Sequence, residues 1–266
     1  MSRIAFIRDV SPSLEHCELS YQARKPIDLE RAREQHARYA ETLEALGCRV
    51  ETLPPLPENP DAVFVEDTAV VLDEIAVITR PGAESRRGEV DSSAVRLADY
   101  RKLAYIEAPG TLDGGDVLIV GRSVYVGLSA RSNHTGIEQL RAHLQPYGYR
   151  VESVTLKGCL HLKTAATQVG LLKSAATEVA PGLLLINPQW VDKSAFEGME
   201  FIEVDPQEPF AANAVLVGGS LVYPASFPRT RARLEQHGLD VRVVDMSETE
   251  KAEGGVTCCS LIFKGP

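Results

Sequence analysis

No apolar run in this chain approaches the ~20 residues needed to span a bilayer. Met1 to Ile7 is too short for a secretory leader and is broken by Arg3. A membrane partner is therefore not expected. The five cysteines (Cys17, Cys48, Cys159, Cys258, Cys259) are odd in number and contain no CxxC pair. That argues against a disulfide framework or a zinc site and for a reduced, cytoplasmic setting. Basic residues are outnumbered, 28 Lys and Arg against 37 Asp and Glu, for a net charge of -9. Nucleic acid and anionic lipid, which need clustered cations, are not expected as partners. No His-x-His or HExxH spacing is present, so a metal hydrolase built on Asp67, Asp116 and His161 is poorly supported and no metal is expected. What remains is a 266-residue chain, 44% hydrophobic and 24% charged, of ordinary globular composition.

The stretch Gly254-Gly255-Val256-Thr257-Cys258-Cys259-Ser260-Leu261 organises the reading. Two glycines allow a close backbone approach or a special turn. A thiol then stands at the mouth of an apolar run that reads as a strand. Free cysteine is among the most buried residue types, so the stretch alone reads as core. Presented by a glycine turn, the same thiol is placed to be a nucleophile.

The rest of the chain decides between these readings. After a strand at Ile4 to Ile7 and a polar segment from Asp9 to Asp28, a helix is expected from about Leu29 to Leu46, stopped by Gly47. Then a unit recurs: two apolar runs about a polar pair. It appears at Thr68–Leu72 with Ile75–Thr79, at Asp116–Val120 with Ser123–Gly127, and at Asn213–Val217 with Ser220–Pro224. A looser copy pairs Lys163–Leu172 with Glu178–Ile186, and Cys259–Phe263 is a half-unit that Ile4 to Ile7 can complete. Helices at Thr135–Leu144, Phe227–His237 and Ser247–Lys251 lie between them, followed by strands such as Arg150–Thr155 and Val241–Val244. A repeat of about 45 to 52 residues indicates a radial array whose outermost repeats pair to remove sheet edges. The expected architecture is one α/β domain over residues 1–266, a five-bladed α/β propeller.

Each hairpin is introduced by one residue at an equivalent place: Asp67, Asp116, His161, Asn213 and Cys258. In a closed ring such positions converge on the axis. Carboxylate, imidazole and thiol then meet although they lie far apart in sequence, which favours a catalytic cysteine.

The motifs resemble the guanidine-modifying, or pentein, superfamily, and within it the dimethylarginine dimethylaminohydrolases. The resemblance covers essentially the whole chain. It is carried by Phe64-Val65-Glu66-Asp67, Ile78-Thr79-Arg80-Pro81-Gly82-Ala83 with Ser85-Arg86-Arg87, Thr111-Leu112-Asp113-Gly114-Gly115-Asp116-Val117, Gly127-Leu128-Ser129-Ala130-Arg131, Leu160-His161-Leu162-Lys163, Ala211-Ala212-Asn213 and Thr257-Cys258-Cys259-Ser260. The family fold is the same five-bladed propeller. The resemblance implies hydrolysis of Nω-methylated arginine to citrulline and a methylamine, without cofactor, through a thiouronium on Cys258. His161 would serve as acid and base and Asp113 would orient it. Asp67 would hold the guanidinium with Asp61 and Glu66 in support, and Arg86 and Arg131 the α-carboxylate. The carbonyls of Leu19, in a lid at residues 9–28, and of Ala252 would hold the α-amino end. The partner is then a small molecule, and the chain a monomer or homodimer.

Two departures stand out. The lid segment Cys17-Glu18-Leu19-Ser20-Tyr21 is more polar than expected of dimethylarginine-specific members. Lys163 stands where arginine deiminase relatives carry a carboxylate, which would favour methylated over free arginine. The rivals are an arginine deiminase-type activity and a non-catalytic propeller binding protein; the latter would not need Cys258, His161 and the carboxylates together.

Overall fold

Residues 3–171 and 182–265 are described by a computed structural model, and their strands form five three-stranded sheets. The first holds β1 (Arg3–Ile7) parallel to β2 (Cys48–Thr52), with α1 (Leu29–Ala45) crossing between them. In the second, β3 (Ala69–Val71) turns back on β4 (Ile75–Ile78), and α2 (Val90–Leu97) leads to β5 (Lys102–Tyr105), parallel to β4. The plan recurs with β6 (Val117–Val120), β7 (Ser123–Leu128), α3 (His134–Leu144) and β8 (Arg150–Thr155). A helical turn, α4 (Leu162–Ala165), opens the fourth sheet of β9 (Ala166–Leu171), β10 (Gly182–Ile186) and β11 (Glu200–Glu203). The fifth holds β12 (Val215–Val217), β13 (Ser220–Pro224), α5 (Pro228–Gln236) and β14 (Asp240–Val244). After α6 (Ser247–Glu250), β15 (Leu261–Lys264) pairs antiparallel with β1 and supplies the first sheet's inner strand. The ring closes as the repeat implied: a five-bladed α/β propeller.

Residues of the middle strands alternate between two neighbouring cores. Ile4 and Phe6 pack with Ile78 and Leu97, whereas Ala5 and Ile7 pack with Val215, Val222 and Val244. Val124 and Val126 face Val77, while Tyr125 faces Leu184 and Ile186. Leu183 and Leu185 meet Leu221 and Tyr223. A strand covered on both faces reads as a continuous apolar run, which is why these strands were visible in sequence.

Helix ends follow their caps. Asp28 accepts from the Arg31 amide at the start of α1, and Asn133 from that of Gly136 at the start of α3. The structure corrects the expected strand at Lys163–Leu172, whose first residues form α4 and place Lys163 on a helical turn. Residues Glu178 to Pro181 of the next expected strand lie outside the described residues. Helix α2 and strand β5 were not anticipated.

Single helical turns precede three inner strands: Val65–Thr68 before β3, Gly114–Asp116 before β6, and α4 before β9. A non-helical turn at Thr257–Cys259 stands before β15. Asp67 and Cys258 lie in these turns, and Asp113 and His161 directly precede two of them.

Candidate active site

The glycine pair before the thiol is dictated by close approach. A Cβ on Gly254 would lie 2.2 Å from the Phe64 ring, and one on Gly255 would lie 2.4 Å from Asn213 Oδ1. Neither site admits a side chain without rebuilding its neighbour. The turn presents Cys258, partly exposed, and buries Cys259 completely. Cys258 Sγ accepts a hydrogen bond from the Gly255 amide at 3.3 Å. Burial, and next the charges of Glu66 and Asp67, push the Cys258 thiol up to about 12. The free protein therefore rests with a neutral thiol.

His161 is buried at the entrance of α4, its Nε2 3.1 Å from Asp113 Oδ2. Asp113 Oδ1 in turn accepts from the Gly82 amide at 2.9 Å. Burial alone would lower the imidazole, but Asp67, Asp113 and Asp116 outweigh it and raise His161 to about 9. Asp67 accepts from Arg86 Nη1 at 2.6 Å and from the Gly115 amide at 2.8 Å. Burial opposes its ionisation, yet His161 and Arg86 hold Asp67 down at about 2. Near neutral pH the centre thus pairs an imidazolium with a fixed carboxylate beside an uncharged thiol.

Cys258, His161, Asp113, Asp67, Asp61, Arg86, Arg131 and Ala252 line one cavity of ≈ 20 Å³, which Glu18 and Glu253 also wall. On the far side of Cys258 a second cavity of ≈ 190 Å³ is bounded by Gln22, Phe210, Pro224 and Phe227. Asp61 accepts from the Glu18 amide at 3.1 Å and so ties the segment holding Leu19 to the rim. Burial raises the Asp61 carboxyl, against the pull of Arg86. Among the described residues, the Leu19 and Ala252 carbonyls accept no hydrogen bond.

Three expectations change. Glu66 does not line the cavity: it pairs with Lys163 Nζ at 2.6 Å and accepts from Thr257 Oγ1 at 2.7 Å. Lys163 also reaches the Gly114 carbonyl at 3.2 Å, so its ammonium lies away from the cavity, where a deiminase-like acid would face substrate. A buried carboxylate and a partly buried ammonium must find each other, and that pairing fixes both side chains. The specificity argument from Lys163 therefore falls. The third concerns Arg86, expected as a free fork for a carboxylate. It donates from Nε and Nη2 to Glu89, from Nη1 to Asp67 and from Nη2 to the Phe64 carbonyl, leaving one Nη1 hydrogen. It braces Asp67, and Arg131, half-buried and 3.5 Å from Ser20 Oγ, is the more available cation.

Asp116 does not face the cavity; it accepts from Ser129, Ser132 and the Leu162 amide, and its burial lifts it to about 6 despite His161. Asn213 buttresses the Cys258 turn by accepting from the Thr257 amide at 3.0 Å. Asp67, Asp113 and His161 bring ligand-type atoms within 4.8 Å of one another, but Asp113 and His161 bond each other and Arg86 takes Asp67. Sequence reasoning missed Glu89, Glu18 and Glu253. For Glu89 a signal existed, an acid three residues after Arg86.

The chain matches the family described as N,N dimethylarginine dimethylhydrolase, eukaryotic, over residues 12–171. It is 39% identical over 238 residues to the N(G),N(G)-dimethylarginine dimethylaminohydrolase of Pseudomonas aeruginosa, covering 89% of this chain and 90% of that protein. It is 40% identical over 265 residues to the Streptomyces coelicolor protein of the same name, covering 98% and 96%. A solved structure of the Pseudomonas aeruginosa enzyme, a cysteine-to-serine variant complexed with citrulline, superposes with a TM-score of 0.89 at 36% identity, over 99% of this chain and 100% of that one. No helix among the described residues is long and apolar enough to cross a membrane. With matches of this extent, the chain belongs to the dimethylarginine dimethylaminohydrolase family.

Proposed function

We propose that this protein hydrolyses Nω-methylated L-arginine to L-citrulline and the corresponding methylamine, with Cys258 as nucleophile. One observation carries the assignment of roles: the thiol, the His161–Asp113 pair and the Asp67 carboxylate wall a single cavity whose rim holds Arg131 and Asp61. The substrate guanidinium sits against Asp67. Its α-carboxylate meets Arg131, with the remaining Nη1 hydrogen of Arg86; its α-amino group meets the Leu19 and Ala252 carbonyls and Asp61, which its bond from the Glu18 amide holds at the rim rather than beside Asp67, where it was expected.

Cys258 starts as a thiol, because burial, and next the charges of Glu66 and Asp67, oppose its ionisation. A bound guanidinium brings a positive charge that offsets them and favours the thiolate. The sulfur forms a bond to the guanidinium carbon while the C–N bond to the methylated nitrogen breaks. His161, already protonated, delivers its proton to the leaving amine and is left neutral, while the proton lost by sulfur passes to solvent. The product of this step is a neutral methylamine and a thiouronium cation on Cys258. Water then attacks the same carbon as neutral His161 takes its proton. The C–S bond breaks, the remaining hydroxyl proton returns to sulfur, and citrulline leaves with the water oxygen as its urea carbonyl.

The test offers asymmetric dimethylarginine, monomethylarginine and arginine separately and measures citrulline colorimetrically. Turnover of the methylated substrates, abolished by Cys258→Ser, is expected. A kcat/KM greater for arginine than for dimethylarginine would overturn the substrate assignment and leave the chemistry of the site.

A further inference from the structure

Glu253 is the one non-glycine residue with a positive φ among the described residues, at 58°. That region is disfavoured for a glutamate, and such conformations persist where surrounding contacts hold them. The contacts here are specific. The Glu253 carboxylate accepts from three successive backbone amides across the mouth of the cavity: Ser20 at 3.1 Å, Tyr21 at 2.6 Å and Gln22 at 2.6 Å. Gln22 Nε2 adds a bond to the Glu250 carbonyl at 3.4 Å, and Arg131 reaches Ser20 Oγ at 3.5 Å. No lysine or arginine pairs with Glu253 among the described residues. Its charge is satisfied by the amides of one loop.

Position makes this consequential. Glu253 directly follows Ala252 and lies between it and the nucleophile turn. It lines both the small cavity and the larger one beyond Cys258. With the loop held down, the small cavity has ≈ 20 Å³ of space, far less than an amino acid of arginine's size fills. We propose that Glu253 is a positioning residue, a latch whose carboxylate clamps the Ser20–Gln22 amides and so fixes Leu19 over the amino-acid end of the substrate. Charge-assisted bonds of this kind are about twice as strong as neutral ones, and three on one acceptor make a loop that closes cooperatively. The step it controls is admission and retention of substrate, distinct from bond making at Cys258. The inference rests on the functional reading above for the meaning of substrate retention, and its structural part does not.

The experiment compares wild type with Glu253→Gly, which relieves the strained backbone while removing the carboxylate, and Glu253→Gln, which removes only the charge. Amide hydrogen exchange at Ser20, Tyr21 and Gln22 is followed without ligand, together with alkylation of Cys258 by iodoacetamide. KM and kcat for dimethylarginine are measured on the same samples. Exchange at the three amides is expected to rise on the order of tenfold or more in the Gly variant and less in the Gln variant. Cys258 should alkylate faster, and KM should rise about tenfold with kcat within about twofold. Unchanged exchange in the Gly variant overturns the latch, as does a fall in kcat at unchanged KM, which would place Glu253 at the reacting centre. Because exchange and alkylation use no substrate, faster exchange in a protein inert toward methylated arginines overturns the functional reading and leaves the latch standing.

Discussion

Arg86 and Asp67, both buried, face each other across 2.6 Å, and the same guanidinium is held from behind by Glu89 at 2.9 Å. The carboxylate expected to receive the substrate cation is therefore already partnered, and its orientation is inherited from Arg86. Arg86→Ala should strip two buried carboxylates of their cation and cost roughly 3–5 kcal/mol of stability, along with a fall in kcat. Arg131→Ala, at the half-buried rim, should leave stability nearly intact and raise KM, losing ~1.5–3 kcal/mol of binding. Urea titration and steady-state kinetics on the two variants separate these outcomes; equal effects on KM alone would return Arg86 to the role of a carboxylate fork.

His161, raised to about 9 in the folded protein, lies above the ~6.5 of an unfolded chain. Its contribution to stability is complete below pH ~6.5 and is lost as pH rises through about 9. Asp67 works in the opposite sense: held at about 2, it stabilises above pH ~4 and ceases to as pH falls toward 2. Chemical denaturation between pH 6.5 and 9.5 should show falling stability, by up to roughly 3 kcal/mol at ~1.36 kcal/mol per pH unit. His161→Asn should flatten that slope. A wild-type profile that is level across this window would mean the imidazole is neutral at rest.

Cys258→Ser should abolish turnover with the fold retained, because an alcohol is far less ionised than a thiol. Cys259→Ser should instead lose stability, since its side chain is fully buried in the core beside β1. Iodoacetamide should modify Cys258 slowly at neutral pH, following a thiol lifted to about 12, and a small amidinium ligand should accelerate it. Peptide mapping that finds the label on Cys259 would reverse the assignment of nucleophile.

Lys163→Ala should leave Glu66 buried without its cation and destabilise by roughly 3–5 kcal/mol, whereas Lys163→Met with Glu66→Gln should recover most of that. The double variant should also make Cys258 more acidic, since Glu66 is one of the charges that raise its thiol. In Lys163→Asp the ratio of kcat/KM for dimethylarginine over arginine should stay at the wild-type value. A shift toward arginine would place the residue 163 side chain in the cavity after all.

How far the sequence could be read depended on what each residue answers to. Strands such as Val124–Gly127 and Leu221–Tyr223 were legible because burial on both faces makes them continuously apolar. Turns and caps at Gly47 and Asn133 were legible because their chemistry is local. Helix α2 was missed because Val90 to Leu97 mixes exposed Val95 with buried Ser93, so its apolar stripe is short. Asp67, His161 and Cys258, singled out by the repeat, line one cavity, whereas Asp116 and Asn213 at the equivalent places do not. The partner of a buried charge could not be read: Lys163 finds Glu66 across 97 residues, and Glu253 finds the Ser20 amide across 233. Such pairings depend on the assembled ring.

The alternation of middle-strand residues between neighbouring cores bears on how the chain folds. No sheet owns a core, because each apolar layer is half the property of the next sheet. The first sheet obtains its inner strand only when Leu261–Lys264 docks on Arg3–Ile7. Contacts so distant in sequence are slow to form, so the ring should fold with one late, rate-limiting closure. Cys258, three residues before that strand, takes its place at the axis only in that final event, and a stalled ring would hold an exposed thiol without its imidazole.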